Sequence, residues 1–231
     1  MGMFDLTAAT GQKEGGNYLS PGIHVGKFKG VGFDTITSQQ NGETYNTMTL
    51  TMDLDGYGEY VQRFFEPKST ERGESTYGAT PSSAEQFMCA VGQILDAIDP
   101  EIGVKLSAND IQVNGKKVDV SSLDFKKLVK LVAYLTTPYI DKELELKLIP
   151  QSKGFAAVPG FPAKLNKAGE VVIASRFIGH NLALNQSEKK KIDAAKDAQP
   201  TNMRQTATGN VDDLVDDLGI KESEKDDDLP F

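Results

Sequence analysis

Aromatic and basic side chains lie close together in several segments of the chain, and this combination favours one kind of chemistry. Aromatic rings stack on other flat groups, while lysine and arginine attract phosphate oxygens. The residues of these types in predicted strands and neighbouring loops are Lys27, Phe28, Lys29, Tyr45, Tyr57, Tyr60, Arg63, Phe64, Lys68, Lys153, Phe155, Phe161, Lys164 and Arg176. Phe64 and Phe65 must point to opposite faces of a strand, so one of them belongs to the core. Together these residues would hold a string of flat, negatively charged groups.

Carboxylates offer a second chemistry, because Asp53, Asp55 and Glu59 stand close together in the sequence. Asp53 and Asp55 share one face of a predicted strand and could hold magnesium for phosphodiester chemistry. The simpler interpretation is that Asp55 and Gly56 end the strand in a turn. The sequence has no phosphate-binding glycine loop, nucleophile elbow or HExxH motif. With one cysteine and two distant histidines, we expect no disulfide, no zinc site, no cofactor and no enzymatic activity.

Charge is distributed unevenly along the chain, whose net charge is -8. Residues 211–231 carry a net charge of -7, so residues 1–210 are close to neutral at -1. Within that part, residues 147–210 carry a net charge of +6. The overall acidity alone would argue against a nucleic-acid ligand, but this basic segment and the separate acidic tail remove that objection.

Alternating apolar and polar residues predict five strands, at 23–37, 43–55, 59–67, 139–149 and 170–179. The clearest is the second, in which Met48, Leu50 and Met52 alternate with polar residues. Turn dipeptides at Asn41-Gly42 and Asp55-Gly56 predict that the first three strands form a meander.

The segment at 80–137 is predicted to be a helical insertion between the third and fourth strands. Ser82 followed by Glu85 is typical of a capping box at a helix start, and Asp99-Pro100 would end that helix. Asn114-Gly115 predicts a small hairpin. A second helix is expected from Ser121 and Asp124 to just before Pro138.

The predicted fold is mainly β with helical insertions, as an OB-fold five-stranded barrel followed by a flexible acidic C-terminal tail. Split-barrel and SH3-like folds fit the same order of elements. The expected divisions are a flexible N-terminal arm at 1–20, the OB domain at 21–186, a basic helix and linker at 187–210, and the acidic tail at 211–231. The basic helix fits a solvated surface helix and a DNA-contacting helix equally well. No apolar run is long enough to span a membrane, and we expect a cytoplasmic location.

The C-terminus has the most specific sequence in the chain: Asp226, Asp227, Asp228, Leu229, Pro230 and Phe231. A partner pocket could take the terminal ring and carboxylate together, with a cationic rim for the aspartates. This end resembles the tip of bacterial single-stranded DNA-binding proteins. The layout of body, polar linker and acidic tip is also similar to phage single-stranded DNA-binding proteins of about this length.

The resemblance implies binding and protection of single-stranded DNA without strong sequence preference, during replication, recombination and repair. It further implies that the tip recruits a polymerase, helicase, primase or nuclease. The tail would compete with phosphate for the basic groove. The chain departs from the bacterial pattern because it has no tryptophan and carries a helical insertion. Tetramer formation is therefore not carried over, and a monomer or dimer is expected.

Three other functions remain open from the sequence. The chain could be a recombination protein that anneals single strands, which a strand-annealing assay at matched occupancy would distinguish. It could be a metal-dependent nuclease, if the three carboxylates of the predicted turn hold magnesium. It could also be a scaffolding protein whose acidic tail only keeps it in solution.

Overall fold

The structure is a computed structural model that describes residues 19–38, 42–76, 78–151 and 156–202, with side chains to 195. Most of the predicted N-terminal arm, the end of the linker and the acidic tail with its six-residue tip lie outside this description. Lys153 and Phe155 also lie outside it. In the described part, no helix combines the length and the hydrophobicity needed to cross a lipid bilayer.

The first three strands form the antiparallel meander that the turn residues predict. They are β1 (Gly22–Thr37), β2 (Thr44–Leu54) and β3 (Gly58–Phe65). On β1 the pairing with β2 shifts between Phe28 and Gly30, so Lys29 is an extra residue in a β-bulge. Gly30 has φ of 138°, which residues with a side chain rarely adopt. The bulge lets this long strand bend.

The helical insertion follows the meander. Its elements are β4 (Gly73–Ser75), β5 (Gly78–Thr80), α1 (Ser83–Ile98), α2 (Pro100–Ser107), β6 (Ile111–Val113), β7 (Lys116–Val118) and α3 (Phe125–Thr136). The predicted capping box is confirmed, since the Ser82 hydroxyl accepts from the Glu85 amide and the Glu85 carboxylate accepts from the Ser82 amide. Asp99 caps α1 at its end and α2 at its start; α2 was not predicted.

The remaining strands lie after the insertion. They are β8 (Glu143–Pro150), β9 (Ala156–Ala157), β10 (Ala163–Leu165), β11 (Val171–Ile173) and β12 (Ile178–Gly179), followed by the helix α4 (Gln186–Asn202). The prediction of one strand at 170–179 is wrong. Its first part pairs with β10, the Ala174 amide then donates to the Pro162 carbonyl, and Ile178 pairs with β8.

The long strands form one antiparallel sheet in the order β12, β8, β1, β2, β3, with β9 added at β8. The fold is therefore mainly β, as predicted, and the sheet is not closed. Its inner face packs against α1 and α3: Phe28, Leu50 and Met52 on the strands and Val91 and Val129 on the helices are completely buried. Each such side chain stabilises the fold by about 1.5–3 kcal/mol.

The helix α4 docks through a buried ion pair on the face of β8 that points away from α1 and α3. The Lys147 ammonium lies 2.9 Å from a Glu188 carboxylate oxygen, and the two side chains are 4% and 7% exposed. Glu188 also accepts hydrogen bonds from the Ser175 hydroxyl at 2.6 Å and the Asn185 amide at 2.8 Å. Burial raises the pKa of Glu188, but these three donors outweigh it, and the pKa lies below its ordinary value of 4.5.

Acid is expected to release α4 from the sheet. Because the pKa of Glu188 is lower in the folded state, its contribution to stability is full above the unfolded pKa. It is lost as the pH falls through the folded value, which lies below 4.5. The NMR methyl signal of Ile192, which is buried in the same contact, should report the release. Ser175→Ala removes one donor and should move the midpoint to higher pH; an unchanged midpoint in this variant would contradict the assignment.

Candidate nucleic-acid interface

The face of β1, β2 and β3 that points away from α1 and α3 is here called the outer face. Its central row consists of Gly32, Thr49 and Arg63, which lie opposite one another on the three strands. The Thr49 hydroxyl donates to the Gly32 carbonyl at 3.2 Å. Since Gly30 and Gly32 carry no side chain, the outer face is low along β1 and leaves room for a ligand.

Two aromatic rings and a lysine stand together at one end of the outer face. The Tyr45 and Phe65 rings are perpendicular, with centroids 6.0 Å apart, and Phe65 is 54% exposed. The Lys68 ammonium lies 5.3 Å from the centroid of the Tyr45 ring. A flat base could stack on the open face of Phe65, and each stacked base contributes about 1–3 kcal/mol to binding.

A groove of about 700 Å³ runs beside β3, and we call it the edge groove. It lies between β3, β5, the start of α1 and the loop at 158–165. The aromatic and basic side chains that line it are Arg63, Phe64, Phe65, Phe161 and Lys164. Phe161 is 78% exposed. A hollow of about 340 Å³ between Tyr45 and Lys68 also borders Phe65, so the two depressions meet at this ring.

The cations differ in how far their charge is compensated. Arg63 lies 3.6 Å from Asp34, and Lys29 and Arg176 pair with Asp141 and Asp96. The hydrogen bond to Asp141 raises the pKa of Lys29. Within the described ranges, Lys68 and Lys164 form no ion pair, so both can contact phosphate. Exposed ion pairs stabilise a fold by only about 0–1 kcal/mol, so a phosphate could also displace Asp34 from Arg63.

Three predicted contacts lie on the inner face. Phe28 is completely buried opposite Met52, so the prediction that it stacks on a base is wrong: its ring has no surface to offer. Tyr60 is partly buried, and burial raises its pKa to about 12. The Phe64 ring points inward to Phe177, with centroids 5.7 Å apart, and also lines the edge groove.

Phe65 is the ring that the sequence analysis missed. The register of β3 on β2 shows which of the two neighbouring rings points outward. Phe64 lies opposite Met48 of the inner face, and Phe65 lies opposite Thr47 of the outer face. Counting from the Asp55-Gly56 turn along β2 and β3 would have placed Phe65 on the outer face.

Several other predicted contacts lie apart from these rings. Tyr57 is 40% exposed in the turn between β2 and β3, edge-on to His24 with centroids 5.2 Å apart. The length of β3 separates Tyr57 from Phe65 by about 23 Å. Lys27 is exposed on β1, opposite Asp53 and Glu143 of the neighbouring strands. Arg176 lies beside α1.

The nuclease hypothesis needs a group of side chains that could hold a metal ion. Among the described residues, no three His, Cys, Asp or Glu side chains form a group that could hold a metal ion. Asp53, Asp55 and Glu59 are described residues, so this holds for them too.

No model of a known protein family matches the sequence, and no curated protein matches it at a significant level.

Proposed function

We propose that the chain binds single-stranded DNA without strong sequence preference, along the outer face and the edge groove. The observation that carries this proposal is the exposed Phe65 ring, which joins the Tyr45 and Lys68 hollow to the Phe161 and Lys164 groove. Rings with cations beside them are what sequence-tolerant binding of unpaired bases requires. A duplex would keep its bases stacked on each other and away from these rings.

The strand arrangement supports an OB-type barrel that is partly open. Five strands occur in the order β12, β8, β1, β2, β3, and the helical insertion lies between the third and the fourth of them along the chain. The contact between Phe64 of β3 and Phe177, next to β12, bridges the open side with packed side chains. OB folds are partly open five-stranded barrels that bind oligonucleotides on the strand face and adjoining loops.

The acidic tail is proposed to bind replication proteins. Its residues lie outside the described part, so this rests on the sequence of the tip, in which three aspartates precede Leu229, Pro230 and Phe231. An aromatic ring that follows a run of aspartates suits a pocket with a cationic rim. In this proposal the body holds the DNA strand while the tip recruits proteins of replication, recombination and repair.

The test is a salt titration of binding to labelled oligo(dT) by the full chain. Lys68→Gln with Lys164→Gln should lower the slope of log affinity against log salt by about 1.4, since each phosphate contact to a single strand contributes about 0.7. The matched control is Lys116→Gln with Lys130→Gln, two exposed lysines of the β6–β7 hairpin and of α3. It removes the same charge on the side of the sheet that carries α3 and should change the slope less. Failure of the unaltered chain to bind oligo(dT) in dilute buffer would refute the proposal.

A further inference from the structure

The helix α4 presents three lysines to solvent. Lys189, Lys190 and Lys191 are exposed, while Glu188 and Ile192, one turn apart on the face toward the sheet, are buried; Lys190 points directly away from that face, and Lys189 and Lys191 lie on its two flanks. Within the described side chains, none of the three lysines forms an ion pair. The sequence left the role of this basic helix open, and its docking now places the lysines relative to the outer face.

The docking site lies at the corner of the sheet diagonally opposite Phe65. Lys147, which pairs with Glu188, is opposite Ile23 at the start of β1. Phe65 is at the other end of the strands, because it pairs with Thr47, which in turn pairs with Asp34 near the end of β1. The straight line between these corners crosses β2 near Thr51 and β1 near Lys27, and Gly30, which lies opposite Thr51, is beside this line, where the outer face is low. A Cβ atom at Gly30 would have no neighbouring heavy atom within 4 Å.

The strands themselves offer little positive charge along this diagonal. Lys27 is flanked by Asp53 on one neighbouring strand and Glu143 on the other. Val25, which is 39% exposed, and Glu145 continue the outer face toward α4. A DNA strand that crosses the outer face from the Phe65 ring toward β8 therefore passes Lys27, between its two acidic neighbours, and then reaches the lysines of α4.

The contacts between α4 and the rest of the fold are few but directional, and they fix the rotation of the helix about its own axis. Only one large aliphatic side chain of the helix, Ile192, is buried among its described residues. The Glu188 carboxylate is satisfied by Lys147, Ser175 and Asn185 together. A buried ion pair contributes little net stability compared with an apolar pair of the same size. The Glu188 carboxylate, however, meets these three donors only when α4 has this rotation about its own axis. The contact therefore fixes the direction in which the lysines of α4 point.

We infer that α4 is a second phosphate-binding element, on which the DNA strand continues after crossing the outer face through Lys189, Lys190 and Lys191. This inference rests on the proposed function and extends it, since it assigns a binding role to a helix outside the ring-lined surface. It also predicts that short oligonucleotides, which reach only the rings, do not use α4.

The experiment compares Lys189→Gln, Lys190→Gln and Lys191→Gln, combined in the full chain, with the unaltered protein on labelled oligo(dT) of increasing length. On long oligomers the slope of log affinity against log salt should fall by about 1.4 if two of the lysines contact phosphate. On the shortest oligomer that binds, the slope should not change. The control, Lys116→Gln, Lys117→Gln and Lys130→Gln, removes the same charge on the side of α3 and should leave the length dependence intact.

The outcomes separate the two proposals. If the α4 variant and the control lower the slope equally on long oligomers, the lysines act only through net charge and the inference is wrong. If the α4 variant loses as much on the shortest oligomer as on the longest, α4 is not an extension of the path. If the unaltered chain does not bind oligo(dT) at any length, the proposed function itself fails. Circular dichroism of each variant verifies that the fold is retained.

Discussion

Replacing Phe65 with alanine is expected to weaken binding of oligo(dT) by about 1–3 kcal/mol, a loss of roughly 5- to 150-fold in affinity. Phe65 is 54% exposed, and its ring joins the two depressions of the interface. Its removal takes away a stacking surface and the edge contact that orients Tyr45. Fluorescence anisotropy of the labelled oligomer at fixed salt measures the effect.

The matched control for this substitution is Tyr134→Ala. Tyr134 is 52% exposed on α3, on the opposite side of the sheet from Phe65. Its loss should leave affinity within twofold. Phe65→Trp keeps a flat ring and should retain binding, whereas Phe65→Leu keeps hydrophobicity without a ring and should not. Equal affinities for the alanine and tryptophan variants would show that stacking at this position does not occur.

Phe28→Ala is expected to destabilise the fold by about 3–5 kcal/mol, the range for removing a buried phenylalanine from a core. Phe28 is completely buried between the sheet and the helices. The cavity left behind cannot be filled by the rigid strands around it. Urea unfolding followed by circular dichroism gives the free energy of unfolding for this variant and the unaltered chain.

Phe28→Leu separates a role in folding from a role in binding. Leucine retains most of the apolar volume, so the cost in stability should be smaller, about 1.5 kcal/mol or less. Because the ring of Phe28 does not reach the surface, the affinity for oligo(dT) should stay within twofold. A large loss of affinity in a stably folded Phe28→Leu variant would restore the original prediction of a base contact.

Features with a local physical cause could be predicted from the sequence. The alternation of Met48, Leu50 and Met52 with polar residues identifies the inner face of β2, because side chains alternate across a strand. The Ser82 and Glu85 pair identifies the start of α1 because both hydrogen bonds of a capping box lie within four residues. The meander follows from turn dipeptides of the same local kind.

Features that depend on distant residues could not be predicted. The ion pair of Lys29 with Asp141 is not visible in the local pattern, since the partners are 112 residues apart. The pairing of Lys147 with Glu188 is of the same kind. Tyr45, Lys68, Phe161 and Lys164 of the candidate interface were named from the sequence, but the choice between Phe64 and Phe65 required the register of β3 on β2.

The edge groove has a consequence for how the sheet can close. β3 pairs only with β2 in the described part of the chain, and the loop across the groove contains Pro159 and Pro162, which are both buried. Proline has no amide hydrogen to give to a neighbouring strand. The Gln62 side chain donates to the Arg63 carbonyl at 2.9 Å and so occupies part of the strand edge itself. The two prolines therefore keep this seam from becoming a continuous ladder, so the sheet cannot close through this loop by main-chain pairing alone.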